Sequence, residues 1–293
     1  MLTVVLMITP YTRRFRRDVL ALIDDSEQVH VHLDWQTVDS WLDEADRLLW
    51  LAWQGQTLIG ALGVALPLED ATWIRLCVVR DGFEPRSVLA DLWQSARDHL
   101  LALHTRQVAA LFQRPWLSGY AGAFGMTDQE LIVTLQRNGP NWPAPRQHNV
   151  IVRYADMRDL PAALSIDHAA FDPLWRLSRE SLREAIHQAA SFKLAYDITY
   201  SSSQPIGYQL ATLYHSGGHL ARLATRPDWQ GRGVGGALLD DLLTGFARRR
   251  VFAVSVNTQQ SNLASQRLYR TFGFNFTGPD MSVWVTTLTE PGR

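Results

Sequence analysis

Apolar positions along this chain change period in a regular order. Short apolar runs at Leu48 to Trp53, Leu58 to Leu66 and Trp73 to Val79 read as buried strands. From Ser87 to Leu103 the apolar residues fall three or four apart, which predicts a helix. Helices at 12–23 and 37–45, strands at 1–8, 108–112 and 130–136, and a short helix ending at Phe124 complete this half. Asn138 to Pro145, NGPNWPAP, is rich in turn formers and prolines and reads as a semi-rigid linker. The order then recurs: a strand at 150–153, helices at 160–171 and 178–189, and strands at 192–200 and 205–214. A glycine-rich turn and its helix follow, then strands at 251–256, near Asn275, and at 281–288.

Register turns this recurrence into a repeat. Gly60 matches Gly207, Arg80 matches Arg226 and Phe124 matches Phe272, at offsets of 207−60 = 147, 226−80 = 146 and 272−124 = 148. The predicted organisation is a first domain at 1–137, a linker at 138–149 and a second domain at 150–293. For 293 residues, two cores are also the expectation from length.

The stretch HLARLATRPDWQGRGVGGALL, His219 to Leu239, concentrates the chemistry. Its strand half stops at Pro227, and four glycines follow in six residues, Gly231, Gly233, Gly235 and Gly236. Such a turn brings backbone amides close to a ligand, and the helix after it opens with unpaired N–H groups that favour an anion. Beyond it, Val234, Leu238 and Leu242, with Leu239, Leu243 and Phe246, give the helix an apolar side. A P-loop is excluded, because the only lysine of the chain is Lys193. Gly231, Gly233 and Gly236 do satisfy the dinucleotide pattern, but Val251 to Asn257 lacks the acid that would hold a ribose.

The order Pro-x-x-Gln-x-x-Gly-x-Gly, from Pro227 through Gln230 to Gly235, resembles motif A of the GNAT superfamily of acyl-CoA-dependent N-acyltransferases. Asn262 to Tyr269, followed by Phe272-Gly273-Phe274, resembles its motif B, one residue short before the glycine pair. The resemblance implies two tandem α/β domains of GNAT type, each a mixed, mostly antiparallel twisted sheet flanked by helices. It implies acetyl transfer from acetyl-CoA directly to a small-molecule or peptide amine in a ternary complex. An acyl-CoA-binding sensor or interaction protein without turnover is the alternative.

Residue by residue, the resemblance implies that Gln230, Gly231, Arg232, Gly233, Val234, Gly235 and Gly236 hold the pyrophosphate, and that pantetheine pairs with Leu223, Ala224 and Thr225. Asn262 would hold pantetheine or the motif B turn, and is equally a helix N-cap. Tyr269 would protonate the departing thiolate, or is core packing. No carboxylate lies in 215–225 to serve as base, so His219 is the candidate and His215 the next. Asp167, His168, Phe171, Asp172 and Trp175 fall where the resemblance puts the border of the acceptor site. In the first copy Phe83, Glu84, Pro85, Ser87 and Leu89 replace Trp229, Gln230, Gly231, Gly233 and Gly235, so that copy is expected to be catalytically silent.

Composition narrows the classes little further. A formal net charge of −1 gives no case for nucleic acid, and the largely apolar stretch Met1 to Ile8 is too short to span a membrane. With one cysteine, Cys77, neither an internal disulfide nor a cysteine-rich metal site can form. A cytoplasmic protein, monomeric or homodimeric, is expected.

Overall fold

The computed structural model describes residues 6–44, 48–112, 115–142, 149–198, 204–278 and 280–289. Residues 1–5 of the predicted first strand, Ala45 of the second helix, 143–148 of the linker and 199–200 of a later strand lie outside the described residues.

The chain runs β1 (Met7–Pro10), α1 (Arg16–Asp24), β2 (Gln28–Val31), α2 (Val38–Asp43), β3 (Leu48–Gln54), β4 (Thr57–Val64), β5 (Ala71–Val79), α3 (Pro85–Ala102), β6 (Gln107–Phe112), α4 (Pro115–Ser118) and β7 (Thr127–Arg137). It continues β8 (Val150–Tyr154), α5 (Leu160–Ala170), α6 (Arg179–Gln188), β9 (Ser191–Asp197), β10 (Gly207–Tyr214), β11 (Gly217–Thr225), α7 (Val234–Arg248), β12 (Val254–Gln259), α8 (Leu263–Thr271), β13 (Asn275–Phe276) and β14 (Met281–Thr287).

These elements form two compact units, one of Met1–Glu130 with Met281–Arg293, the other of Leu131–Asp280. In the first, the strands run β1-β3-β4-β5-β6-β14, antiparallel except where β5 meets β6. That parallel pairing lasts only from Ala71↔Gln107 to Trp73↔Ala109 before the strands part. In the second, the order is β8-β9-β10-β11-β12-β7. It too is antiparallel except at β11 and β12, which pair from Gly218↔Val254 to Leu220↔Val256 and then part.

The two units repeat in detail. Each strand before the glycine or proline turn carries one extra residue, Arg75 in β5 and Ala221 in β11, where the ladder shifts register. Each long helix rests on a strand glycine. A Cβ on Gly60 would lie 2.6 Å from Val88 Cγ1, and one on Gly207 would lie 2.9 Å from Val234 Cγ1. The offset 234−88 = 146 is the register read from the sequence.

The closing strands fall otherwise than a split at 138–149 would put them. Ser282–Thr287 of β14 pairs with β6, and Ile132–Arg137 of β7 pairs with β12. Most predicted elements shift by a few residues or fewer. The strand predicted from Val251 starts at Val254, because Arg250 turns the chain with φ 60° and Val251 N–H still bonds Phe246 O. Cys77 is buried in β5 as expected, its thiol pKa pushed up by burial. Among the strands of the described residues, β2 is absent from the sequence reading.

Candidate functional site

Pro227–Trp229 makes one tight helical turn after β11, and Gly231 and Gly233 follow with φ of 74° and 86°. Only glycine adopts that left-handed backbone without strain, so these two positions explain two of the turn's four glycines. Gly233 is the N-cap of α7 and offers no side chain to it. Ala237 is the first amide able to bond back, to Gly233 O at 3.0 Å. The N–H groups of Val234, Gly235 and Gly236 therefore point out of the helix end, where the dipole favours negative charge.

Neighbouring side chains hold this turn. Gln230 Nε2 donates to Thr225 O at 3.3 Å, tying the turn to the end of β11. The Arg232 guanidinium lies 4.9 Å from the Trp229 ring centre, and Trp229 itself packs against the Val234 and Leu238 cluster. Beside the turn, Leu223, Ala224 and Thr225 pair with β10 on one edge, while β12 has left the other edge after Leu220. Strand edge and anion-favouring helix end thus adjoin, the arrangement that a thioester of coenzyme A would need.

Of the remaining candidates, Asn262 caps α8 through Oδ1, which accepts Ser265 N–H at 3.0 Å. Tyr269 is only 4% exposed and packs against Phe274 at 5.8 Å between ring centres. Burial pushes its phenol pKa up, and the Ser265 side chain is its hydrogen-bond partner. His219 Nδ1 lies 3.0 Å from Ser255 Oγ, and burial lowers the imidazole pKa, so the ring is neutral at pH 7. His215 lies in the exposed turn between β10 and β11, at the end of β11 opposite Thr225.

The Phe171–Leu177 segment is held by a buried ion pair that the sequence reading only half saw. Asp167 on α5 is fully buried. Its carboxylate accepts from Arg222 Nε (2.8 Å), Arg222 Nη2 (3.0 Å), the Tyr208 hydroxyl (2.6 Å) and Leu177 N–H (2.9 Å). Arg222 also donates to Trp175 O at 2.5 Å and stacks 3.7 Å from the Phe171 ring centre. His168 Nε2 sits 2.9 Å from Leu177 O. Phe171 to Leu177 is thereby fixed to β11 just before the open edge, while Asp172 is exposed. Arg222 and Tyr208 had no sequence signal, since each falls within an apolar strand run.

The same places in the first unit are filled by the chain itself. Leu76–Val79 of β5 pairs with β4 on one edge and with β2 on the other, from Val31↔Leu76 to Gln28↔Val79. Helix α3 also starts one turn earlier than α7 in the common register. Pro85 stands at its first position without an N–H, and the Glu84 carboxylate accepts from Arg86 N–H (2.9 Å) and Ser87 N–H (2.8 Å). Those bonds lower the Glu84 pKa.

Residues 166–285 match the family model described as an acetyltransferase (GNAT) domain. No curated protein matches the chain. Among solved structures, a GCN5-related N-acetyltransferase from Sphaerobacter thermophilus is similar over 98% of this chain and 97% of its own, with a TM-score of 0.61 and 15% identity. A tandem GNAT protein from the clavulanic acid biosynthesis pathway is similar over 98% and 100%, with a TM-score of 0.60 and 14% identity. A probable N-acyltransferase from Enterococcus faecalis has a TM-score of 0.73 over 97% and 72%, at 6% identity. At these identities the structural likeness speaks for the fold, and it spans both units.

Proposed function

We propose, from the premise that the C-terminal half of this chain is an acetyltransferase domain of the GNAT superfamily, that the second unit moves an acetyl group from acetyl-CoA directly to an amine bound beside it. The observation that carries the reading is the edge of Leu223–Thr225, left open among the described residues, next to the uncapped amides of Val234–Gly236. The pyrophosphate rests on those amides and Arg232, and pantetheine pairs with the strand edge as one more strand. Acetyl-CoA supplies the activated acyl group: the acceptor nitrogen forms the new C–N bond while the C–S bond breaks.

Two protons then have to move. The one leaving nitrogen goes to His219, directly or through water; with Nδ1–H donating to Ser255, Nε2 carries the free lone pair. The one arriving at sulfur comes from the Tyr269 hydroxyl, which its raised pKa keeps protonated throughout the physiological range. A backbone amide of the β11 edge polarises the thioester carbonyl, a contribution of about 10² to 10³ in rate for one preorganised donor. Asn262 acts as the cap that fixes α8 and so places Tyr269.

Replacing Tyr269 by Phe lowers kcat about 100-fold, the lower end for general acid catalysis, with acetyl-CoA affinity unchanged within twofold. Unaltered kcat removes Tyr269 from the mechanism. Acetyl-CoA binding without CoA release in the presence of any amine makes the chain an acyl-CoA sensor instead. For His219 the sign follows from its depressed pKa: the neutral base is lost only as pH falls through a value below 6.5. The acid limb of kcat therefore lies below pH 6.5 and disappears in His219→Gln, as a pH series at saturating substrates reads directly.

The first unit binds no acyl-CoA in this reading, because β2 covers the strand edge and Glu84 already occupies the helix amides.

A further inference from the structure

Val133 and Leu135 on β7, Leu220 on β11, and Val254 and Val256 on β12 share a buried cluster with Leu239, Leu242, Leu243 and Phe246 of α7. Strand alternation sends their neighbours to the opposite face of the second unit's sheet. Those neighbours are His219, Ser255 and Gln136 in one row, at the registers His219↔Ser255 and Ser255↔Gln136. Asn257 and Thr134 form the next row.

All five are hydrogen-bonding groups, none carries a formal charge while the imidazole is neutral, and none is fully buried. Their mutual bonds leave capacity unused. Thr134 Oγ1 lies 3.0 Å from Asn257 Oδ1, which uses none of the two N–H groups of Asn257. Gln136 Nε2 donates to Asn138 Oδ1 at 3.0 Å, and the Gln136 carbonyl remains an acceptor. Adjacent strands lie about 4.8 Å apart, so donors and acceptors are spread in two dimensions across three strands rather than along one.

We infer that the acceptor is a compact, uncharged-bodied amine bearing several hydroxyl groups, such as an amino sugar or amino polyol, seated on this polar face with its nitrogen towards His219. The inference rests on the acetyl-transfer reading of the same unit. Hydroxyls both donate and accept, which matches a surface of Ser, Thr, Asn and Gln side chains. A polyamine calls for carboxylates and an arylamine for apolar walls, and these two rows supply neither. The reaction joins the acetyl carbon to the amine nitrogen, releases the CoA thiol, and transfers the nitrogen's proton through the enzyme to sulfur.

The test is release of free CoA thiol by the full chain from acetyl-CoA with glucosamine, serinol, spermidine, phenylethylamine and an alanine-initiated hexapeptide as acceptors. The expected result is a kcat/KM for glucosamine or serinol at least tenfold above the other three. In a Ser255→Val, Asn257→Leu variant that advantage falls at least tenfold, while acetyl-CoA affinity, measured separately by calorimetry, stays the same. A better rate with spermidine, phenylethylamine or the peptide overturns the inference, and so does the absence of turnover with both hydroxylated amines when acetyl-CoA is bound. Failure to bind acetyl-CoA at all overturns the acetyl-transfer reading beneath it, which is why binding is measured first. The wild-type comparison decides the matter even if the double variant does not fold.

Discussion

Gly233→Asp lowers the affinity of the chain for acetyl-CoA by about 10² to 10⁴ fold. The new carboxylate stands at the N-cap of α7, where the N–H groups of Val234, Gly235 and Gly236 are otherwise turned outward. It takes those donors for itself, as the Glu84 carboxylate does for Arg86 and Ser87 at the start of α3. A bound pyrophosphate then loses about two charge-assisted bonds, each worth roughly 1.5–3 kcal/mol, and meets a like charge. The fold survives, because left-handed backbone costs a non-glycine residue only about 1–2 kcal/mol, against the roughly 5–15 kcal/mol that holds a domain folded. Gly233→Ala separates the two effects: with strain but no carboxylate, it weakens binding about tenfold or less, in keeping with that strain alone. Calorimetric titration of the two variants reads the difference, and equal losses in both assign the role of Gly233 to backbone shape instead of charge.

Asp167→Ala destabilises the second unit by about 3–5 kcal/mol, the usual consequence of leaving a buried charge without its partner. Arg222 keeps its guanidinium, which is then left with Trp175 O and the Phe171 ring. Tyr208 and Leu177 N–H lose an acceptor at the same time. A urea melt followed by tryptophan fluorescence measures the loss. The double change Asp167→Leu, Arg222→Met removes both charges together and is expected to restore stability to within about 1–2 kcal/mol of the wild type, since apolar replacements of whole buried pairs are often neutral or better. The Phe171–Leu177 segment is still untied from β11 in that protein. Its turnover therefore stays low although its stability returns. Recovery of both properties together reduces the pair to a packing element.

The repeat and its register were legible because glycine is conspicuous. Gly60 and Gly207 occupy places where a helix side chain approaches within van der Waals range, so the chain marks them twice at the same spacing. The turn from Gln230 to Gly236 was legible for a similar reason, two of its four glycines being dictated by positive φ at Gly231 and Gly233. What could not be read was pairing between distant strands. The sequence QVHV at 28–31 is four residues long with a histidine at its buried position, too short and too polar to announce β2, yet its place on β5 is the clearest physical difference between the two units. The polar rows of β7, β11 and β12 depend on registers between strands far apart in the chain, more than a hundred residues for β7 and β12, for which no local pattern exists. The closing strands escaped for the same cause: nothing local to β14 tells it to pair with β6. The ion pair of Asp167 and Arg222 was half visible, as Asp167 fell in a segment already of interest while Arg222 sat in a strand read only for its backbone.

The decisive measurement is the stoichiometry of acetyl-CoA binding to the purified full chain by calorimetric titration. One equivalent per chain is the expected result, with the open edge of Leu223–Thr225 and the uncapped end of α7 taking the ligand while β2 and Glu84 keep the first unit closed. Two equivalents mean that the first unit opens despite its own strand, and none means that the glycine turn of the second unit does not hold a pyrophosphate.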